Sequence, residues 1–432
     1  MPVIMFEPDP EPEDMWPITS YHNGNWNPDN FIALDRPHDR DIYIMNGDGS
    51  EPVNLTKDIT TNYFLADLPS EIGYMMFTHP QWSPDGSKIL FWGSAYYEPT
   101  YYERPNQFGG LSSGYDREVA DSAYYVMDSD GSNIIRVIDS GYDRIFWSPD
   151  GKITVVYIDK DYVANELTEA IVAMDADGSN LTELFFEITP DGRTYNRVKQ
   201  VYWSPDGSKL AFIRDDHLYT LNKDGSDLKV LNSDENKINT YSWSPDSSKI
   251  GYGISWEFYL MNADGSNLVA VYKADSATMR LEYSRRWSAD GSIAVYHFNN
   301  YLNYFVYADG SIQSIDHRDN GWSFISPDGS KVAFEQSHDV YVMNVDESDK
   351  INLTDNDIGG SFRRWSADGS QIYVKASSAI YAIDTDGSNV IKIIDNPAGE
   401  STIVKKYYWS PDNSKILADI ENRDTFEILT SE

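Results

Sequence analysis

The chain contains no cysteine. Disulfide frameworks, thiolate metal sites and a cysteine nucleophile are therefore excluded. Basic residues are scarce: 34 Lys and Arg stand against 69 Asp and Glu, a net charge of -35. Such a surface repels phosphate backbones, so no nucleic-acid partner is expected. It suits solubility, cations or basic protein patches. Long apolar runs are missing as well, none approaching the ~20 residues of a membrane span, and no membrane insertion is expected. The opening Met1-Pro2-Val3-Ile4-Met5-Phe6 lacks the basic start and long apolar core of a signal peptide. The protein is thus expected either to stay inside the cell or to be a mature form without its leader, extracellular or periplasmic. No phosphate-binding glycine loop and no hydrolase nucleophile elbow are expected.

Aromatic residues, in contrast, are plentiful, with 12 Trp and 31 Tyr among 432 residues. Hydrophobic residues make up 41% of the chain, enough for a substantial core. Length alone would suggest two or three domains, but repeats override that rule. One phrase recurs: Trp82-Ser83-Pro84-Asp85-Gly86-Ser87-Lys88-Ile89 returns from Trp147, Trp203, Trp243, Trp287, Trp365 and Trp409. A degenerate copy begins at Trp26, and another has Ile325 in place of the Trp. The nine anchors are separated by 56, 65, 56, 40, 44, 38, 40 and 44 residues, a unit near 40 with insertions.

Each unit reads as four strands. One ends at the Trp, and Ser-Pro-Asp-Gly turns the chain, Pro fixing φ and Gly accepting φ > 0. A second strand follows, as in Lys209-Leu210-Ala211-Phe212-Ile213, and a third, as in Phe258-Tyr259-Leu260-Met261-Asn262. An Asp-Gly turn then leads to the fourth. Four-stranded antiparallel units repeated about an axis predict an all-β fold, a single closed β-propeller over residues 1–432, with nine repeats and eight blades as the alternative. The tryptophans are expected to pack between blades, since one blade cannot cover both its own faces. The unit from Trp409 offers only three strands. Val3-Ile4-Met5-Phe6, within an N-terminal segment of residues 1–20, is expected to complete it and close the ring. Asp246-Ser247, Asp412-Asn413 and Asp346-Glu347-Ser348-Asp349 lack the usual turn glycine and leave their local geometry open.

These phrases, from about Trp26 to Leu429, resemble the TolB-like propeller repeats, relatives of the WD-repeat propellers. The resemblance implies the architecture and a role in envelope or secreted interactions. It leaves the ligand open.

Insertions concentrate after the second and fourth strands, at 56–80, 93–122, 159–169, 187–198, 273–284 and 395–404, so one face of the disc is elaborated. Long loops on a rigid scaffold make binding surfaces. The richest carries Trp92, Tyr96, Tyr97, Tyr101, Tyr102 and Tyr115 with Arg104, a composition suited to a protein or glycan surface or to packing on the blade tops. Arg286 and Arg364, from two Arg-Arg-Trp phrases, are candidate anion ligands at the central channel or inter-blade ion-pair partners. Asp-x-Asp-Gly-Ser-Asn resembles part of a calcium loop, with Asp128, Asp130, Asp175, Asp177, Asp384 and Asp386 as the carboxylates. The distal Glu of such a loop is absent, and the turn alone accounts for the residues. His217 and His338 share a place before the third strand, without a metal-binding motif. The expectation is a monomeric, non-catalytic scaffold for a protein or polysaccharide, with no cofactor and calcium as the alternative to none. The alternative is a polysaccharide lyase or hydrolase at the channel mouth, needing converging carboxylates or histidines.

Overall fold

A computed structural model of the chain describes residues 25–26, 31–36, 41–46, 53–57, 59, 72–97, 100–105, 111–116, 118–139, 141–142, 144–161, 166–189, 197–232 and 238–254. It further describes 257–272, 281–288, 291, 293–298, 302–307, 311–316, 323–355, 359–366, 368–376, 379–394, 404–409, 415–420 and 426–430. Within these residues lie eight four-stranded sheets, one of three strands and one of two. Pairing is antiparallel. In chain order, sheets 1 to 9 occupy 25–54, 72–139, 144–189, 199–230, 238–272, 281–316, 323–352, 361–394 and 404–430. Each anchor Trp, or Ile325, ends the first strand of its sheet, as the repeat grammar requires. The repeated four-stranded sheets are consistent with propeller blades. Sheet 9 has three described strands, and the segment expected to complete it, Val3–Phe6, lies outside the described residues.

The turn after the first strand repeats one hydrogen-bond pattern. The Ser204 hydroxyl donates to Asp206 Oδ1 at 2.6 Å and accepts the Lys209 N–H at 3.0 Å. Asp206 Oδ1 also accepts the Ser208 N–H, and Gly207 N–H closes the turn on Ser204 O. The same set recurs at Ser83, Ser244 and Ser326. All four serines are buried, and a buried polar group persists where its partners are supplied. Opposite this turn, the Lys that opens the second strand reaches the acid or amide that ends the third: Lys88 to Asp128 and Lys209 to Asn222. Aromatic pairs directly opposite each other hold the middle strands, Phe91 on Tyr125, Phe212 on Tyr219, Tyr252 on Tyr259 and Phe334 on Tyr341, with centroids 5.2–5.6 Å apart.

Two devices join successive sheets. Along the first strands, the indole N–H of five anchor tryptophans reaches back to the preceding sheet. Trp147 donates to Gln81 O at 3.0 Å, Trp243 to Tyr202 O at 3.3 Å and Trp365 to Phe324 O at 3.0 Å. Trp203 and Trp287 use hydroxyls, Thr154 Oγ1 and Ser242 Oγ. For these five tryptophans the expected position between successive sheets is observed. Along the fourth strands, the Asp-Gly turn of one sheet presses on the fourth strand of the sheet before it. Gly225 has φ 83° and sits so close that a Cβ would lie 3.1 Å from Glu183 O. Only glycine meets both demands.

Asp412-Asn413 lies outside the described residues; at the other two places without the turn glycine, the geometry survives. Ser247 and Glu347 take φ 62° and 69° and keep the same closing bonds, to Ser244 O and Asn344 O. The insertions are more ordered than the sequence suggests. Residues 93–97 and 119–122 are strand, not loop, and Thr100–Pro105 pairs with Leu111–Asp116 as a hairpin. Strands also run into 159–169 and 187–198. Alternation continues through these segments, and Gly93 permits it beside Tyr125, where a Cβ would come within 2.9 Å of the ring. His217 opens its third strand and His338 sits in the two-residue turn before the equivalent one.

Replacing Trp147 by Phe should keep most of the packing, delete the bond to Gln81 O, and cost about 1 kcal/mol in denaturant unfolding. Unchanged stability would deny that bond a role in the seam. Glu347→Gly relieves an exposed left-handed residue and should stabilise by about 1 kcal/mol, read as a rise in the denaturation midpoint.

Candidate binding surfaces

Sheet 2 is the tallest. Its first three strands have 11, 10 and 10 residues, against 6 in the middle strands of sheets 4, 5 and 7. Sheet 3 beside it is also lengthened, with strands of 9, 9 and 8 residues. Together they form a raised wall at the ends where the insertions lie. Trp92, Tyr96 and Tyr97 stand half-buried on its second strand. Tyr96 stacks on Tyr74 at 4.8 Å, and Tyr142 meets Tyr157 at 5.6 Å. The hairpin above carries Tyr101 opposite Tyr115, Tyr102 opposite Gly114 and Arg104 opposite Ser112. The backbone thus brings the predicted aromatic set onto one arm, although the side chains of these hairpin residues lie outside the described ones.

Against the sequence-based expectation, one Gly-x-Ser-x-Gly string does occur, Gly110-Leu111-Ser112-Ser113-Gly114. Its Ser112 belongs to the extended hairpin strand Leu111–Asp116. A nucleophile elbow requires a sharp strand-to-helix turn, which an extended pairing does not provide.

Arg286 pairs in register with Val295 on the first strand of sheet 6, its side chain outside the described set. Arg364 is half-buried on the first strand of sheet 8. Burial, partly opposed by Tyr373, holds its guanidinium below the ordinary value. The exposed Arg363 and the half-buried Lys375 lie close by, and burial and Arg363 lower the Lys375 ammonium likewise. The acids of the Asp-x-Asp-Gly-Ser-Asn phrases are engaged within their own turns. Asp128 accepts from Lys88 and Asn133, Asp175 from Lys152 and Asn180, and Asp384 from Gln371 and Asn389. Asp130, Asp177 and Asp386 each accept a backbone N–H two residues on. Among the described residues, no group of three or more His, Asp or Glu is placed to hold a metal.

Two features escaped the sequence reading. Glu169 and Arg214 form a buried pair across sheets 3 and 4 at 2.8 Å, with Val198 N–H donating to the other carboxylate oxygen. The second is a shallow cleft of about 560 Å³ between the first strands of sheets 4 and 5, lined by Gln200, Tyr202, Pro205, Thr240, Tyr241 and Trp243 among others. Its signal in the sequence was the Tyr beside the anchor Trp, masked by the repeat's own demand for an aromatic there.

No protein-family model matches the chain, and no curated protein matches it. Among solved structures, the crystal structure of Porphyromonas gingivalis dipeptidyl peptidase 4 is similar at a TM-score of 0.51 and 12% identity. The match covers 74% of this chain and 54% of that one, so the chain spans about half that protein's length. The likeness is one of fold. With the repeated antiparallel sheets, it supports a β-propeller architecture. The Myceliophteria thermophila Cps50 (Swd1) β-propeller domain (TM-score 0.36, 11% identity, 68% of this chain and 99% of that) is a weaker match. So is the C-terminal WD40 domain of Sif2 (0.44, 10%, 94% and 95%), and nothing rests on either.

Two opposite pH effects follow from the acids. At Asp85, the Ser83 hydroxyl and then the Ser87 N–H and hydroxyl hold the carboxyl below 3.8. Its stabilisation is complete above that pH and lost as the pH falls through the folded value. Glu335 behaves in the other sense: burial raises its carboxyl above 4.5, against the Phe362 N–H and Arg363. Its folded form loses stability as the pH rises from about 4.5. Glu335→Gln, whose amide oxygen can still accept the Phe362 N–H, should therefore melt higher than the parent at pH 7 and alike at pH 4. Equal melting temperatures at both would remove burial of that charge as a cost.

Proposed function

We propose that this chain is a TolB-like propeller, closed as nine blades by its N-terminal strand, that acts as a non-catalytic scaffold for a protein or polysaccharide. The ligand sits on the raised wall of sheets 2 and 3. The carrying observation is the hairpin-topped sheet 2, whose long paired strands hold Trp92, Tyr96 and Tyr97 on the same arm as Tyr101 and Tyr115. Rigid aromatic side chains on paired strands offer large contact area at small entropic cost. A perturbed acid such as Glu335 is what the alternative, a polysaccharide-active enzyme, would look for. Its oxygen accepts the Phe362 N–H across the sheet boundary at 2.7 Å, which gives the residue a structural task.

Replacing residues 98–117 by a two-glycine turn tests the site. Glycan-array and protein-interaction screens, run with and without calcium, should lose their strongest hits by at least about tenfold, the scale of one or two aromatic contacts. Retained binding would move the site elsewhere. For closure, deleting residues 1–20 should lower the melting temperature markedly by leaving sheet 9 with an open edge. An unchanged transition would dismiss closure by this segment.

A further inference from the structure

We infer that the cleft between the first strands of sheets 4 and 5 is a subsite for one ring of a neutral saccharide. The inference is independent of the raised wall, since the cleft lies toward the short Ser-Pro-Asp-Gly turns.

Tyr202 is the platform. It is 45% exposed, although it sits between the buried Val201 and the anchor Trp203. Its ring is held from two sides, by the Arg144 guanidinium 5.3 Å from its centroid and by Tyr241 edge-on at 5.9 Å. Arg144 lies over Phe146 as well, at 5.2 Å. Tyr241 is itself fixed: only 3% exposed, its hydroxyl lies 2.6 Å from both Gln200 O and Ala211 O, which share its single proton. Gln200 adopts φ 52° at an irregularity where the register shifts between Lys199 and Tyr202. A local bulge with a left-handed non-glycine residue re-aims the side chains that follow, and such strain is often kept at binding sites. Here it supports the backbone that presents Tyr202.

The polar groups around the platform select the ligand. Gln200, Thr240 and Ser242 line the cleft with an amide and two hydroxyls, groups that both donate and accept. Sugar hydroxyls have the same dual character, and a sugar's C–H face lies well on an aromatic ring. An extended proline-rich peptide is the competing occupant of an aromatic groove, and it needs fixed donors for its carbonyls. The fixed donors here are committed elsewhere: Trp203 Nε1 to Thr154, Trp243 Nε1 to Tyr202 O, and the single Tyr241 hydroxyl proton to the neighbouring Gln200 and Ala211 carbonyls. A net charge of -35 disfavours a polyanionic sugar chain. The open shape of the cleft suits one ring of a longer neutral oligosaccharide.

Calorimetric titration of the full chain with neutral gluco-, manno-, galacto- and xylo-oligosaccharides should find at least one binder. Tyr202→Ala should weaken it by about tenfold or more at an unaltered melting temperature, and Thr240→Val should weaken it less. The chain in which residues 98–117 are replaced should bind the same sugar unchanged, which separates this site from the raised wall. Absence of binding by every member of the panel overturns the inference. So does binding indifferent to Tyr202→Ala, or binding of a proline decamer that Tyr202→Ala abolishes.

Discussion

A four-stranded sheet with apolar side chains on both faces has no way to hide them by itself, and the hydrophobic surface it would leave in water makes an isolated unit unstable. In this chain the remedy lies at the seam between one sheet and the next. Near the first strands an indole bridges the seam, filling it with ring surface while its N–H reaches a carbonyl or hydroxyl of the preceding sheet. Near the fourth strands a glycine lets an Asp-Gly turn settle against the neighbouring backbone. The two contacts fix the seam at separated points, which resists rotation of one sheet on the other. Sheet 7 has Ile325 instead of an indole, and Ile325 packs in an apolar cluster with Ile293, Phe305 and Phe334.

The acidity of the chain has a partly structural origin. Asp85, Asp206, Asp246, Asp328 and Asp368 each accept from a Ser hydroxyl and a backbone N–H, and the fourth-strand turns use Asp130, Asp177, Asp224, Asp264 and Asp386 in a similar way. A carboxylate accepts several hydrogen bonds at once, which short turns with many unpaired donors need. Repeating such turns from sheet to sheet loads the chain with negative charge whatever its ligand. Calcium-like wording in the sequence has the same source.

Strand order, turn chemistry and the seam position of the tryptophans were all readable from Trp203-Ser204-Pro205-Asp206-Gly207 and its copies, because each residue there answers a local steric or hydrogen-bonding demand. The insertions were less readable. Residues 93–122 contain Gly, Ser and Pro, which suggest loop, yet cross-strand pairing with neighbouring tall strands makes most of the described part β-structure. Glu169 and Arg214 are 45 positions apart and look like ordinary surface charges until two sheets bring them together. Tyr202 was hidden for another reason. The residue beside an anchor Trp reads as more core, and only a shift in strand register decides that it faces outward.

At three seams the indole grips main-chain oxygen, those of Gln81, Tyr202 and Phe324. Every amino acid carries that atom. The bond itself therefore sets no demand on the side chain attached to it, and an amide, a phenol and a phenyl ring occupy the three places. Such a scaffold can exchange chemistry at an exposed place like Tyr202, on the very strands that hold it upright, without giving up the hydrogen bond at that joint.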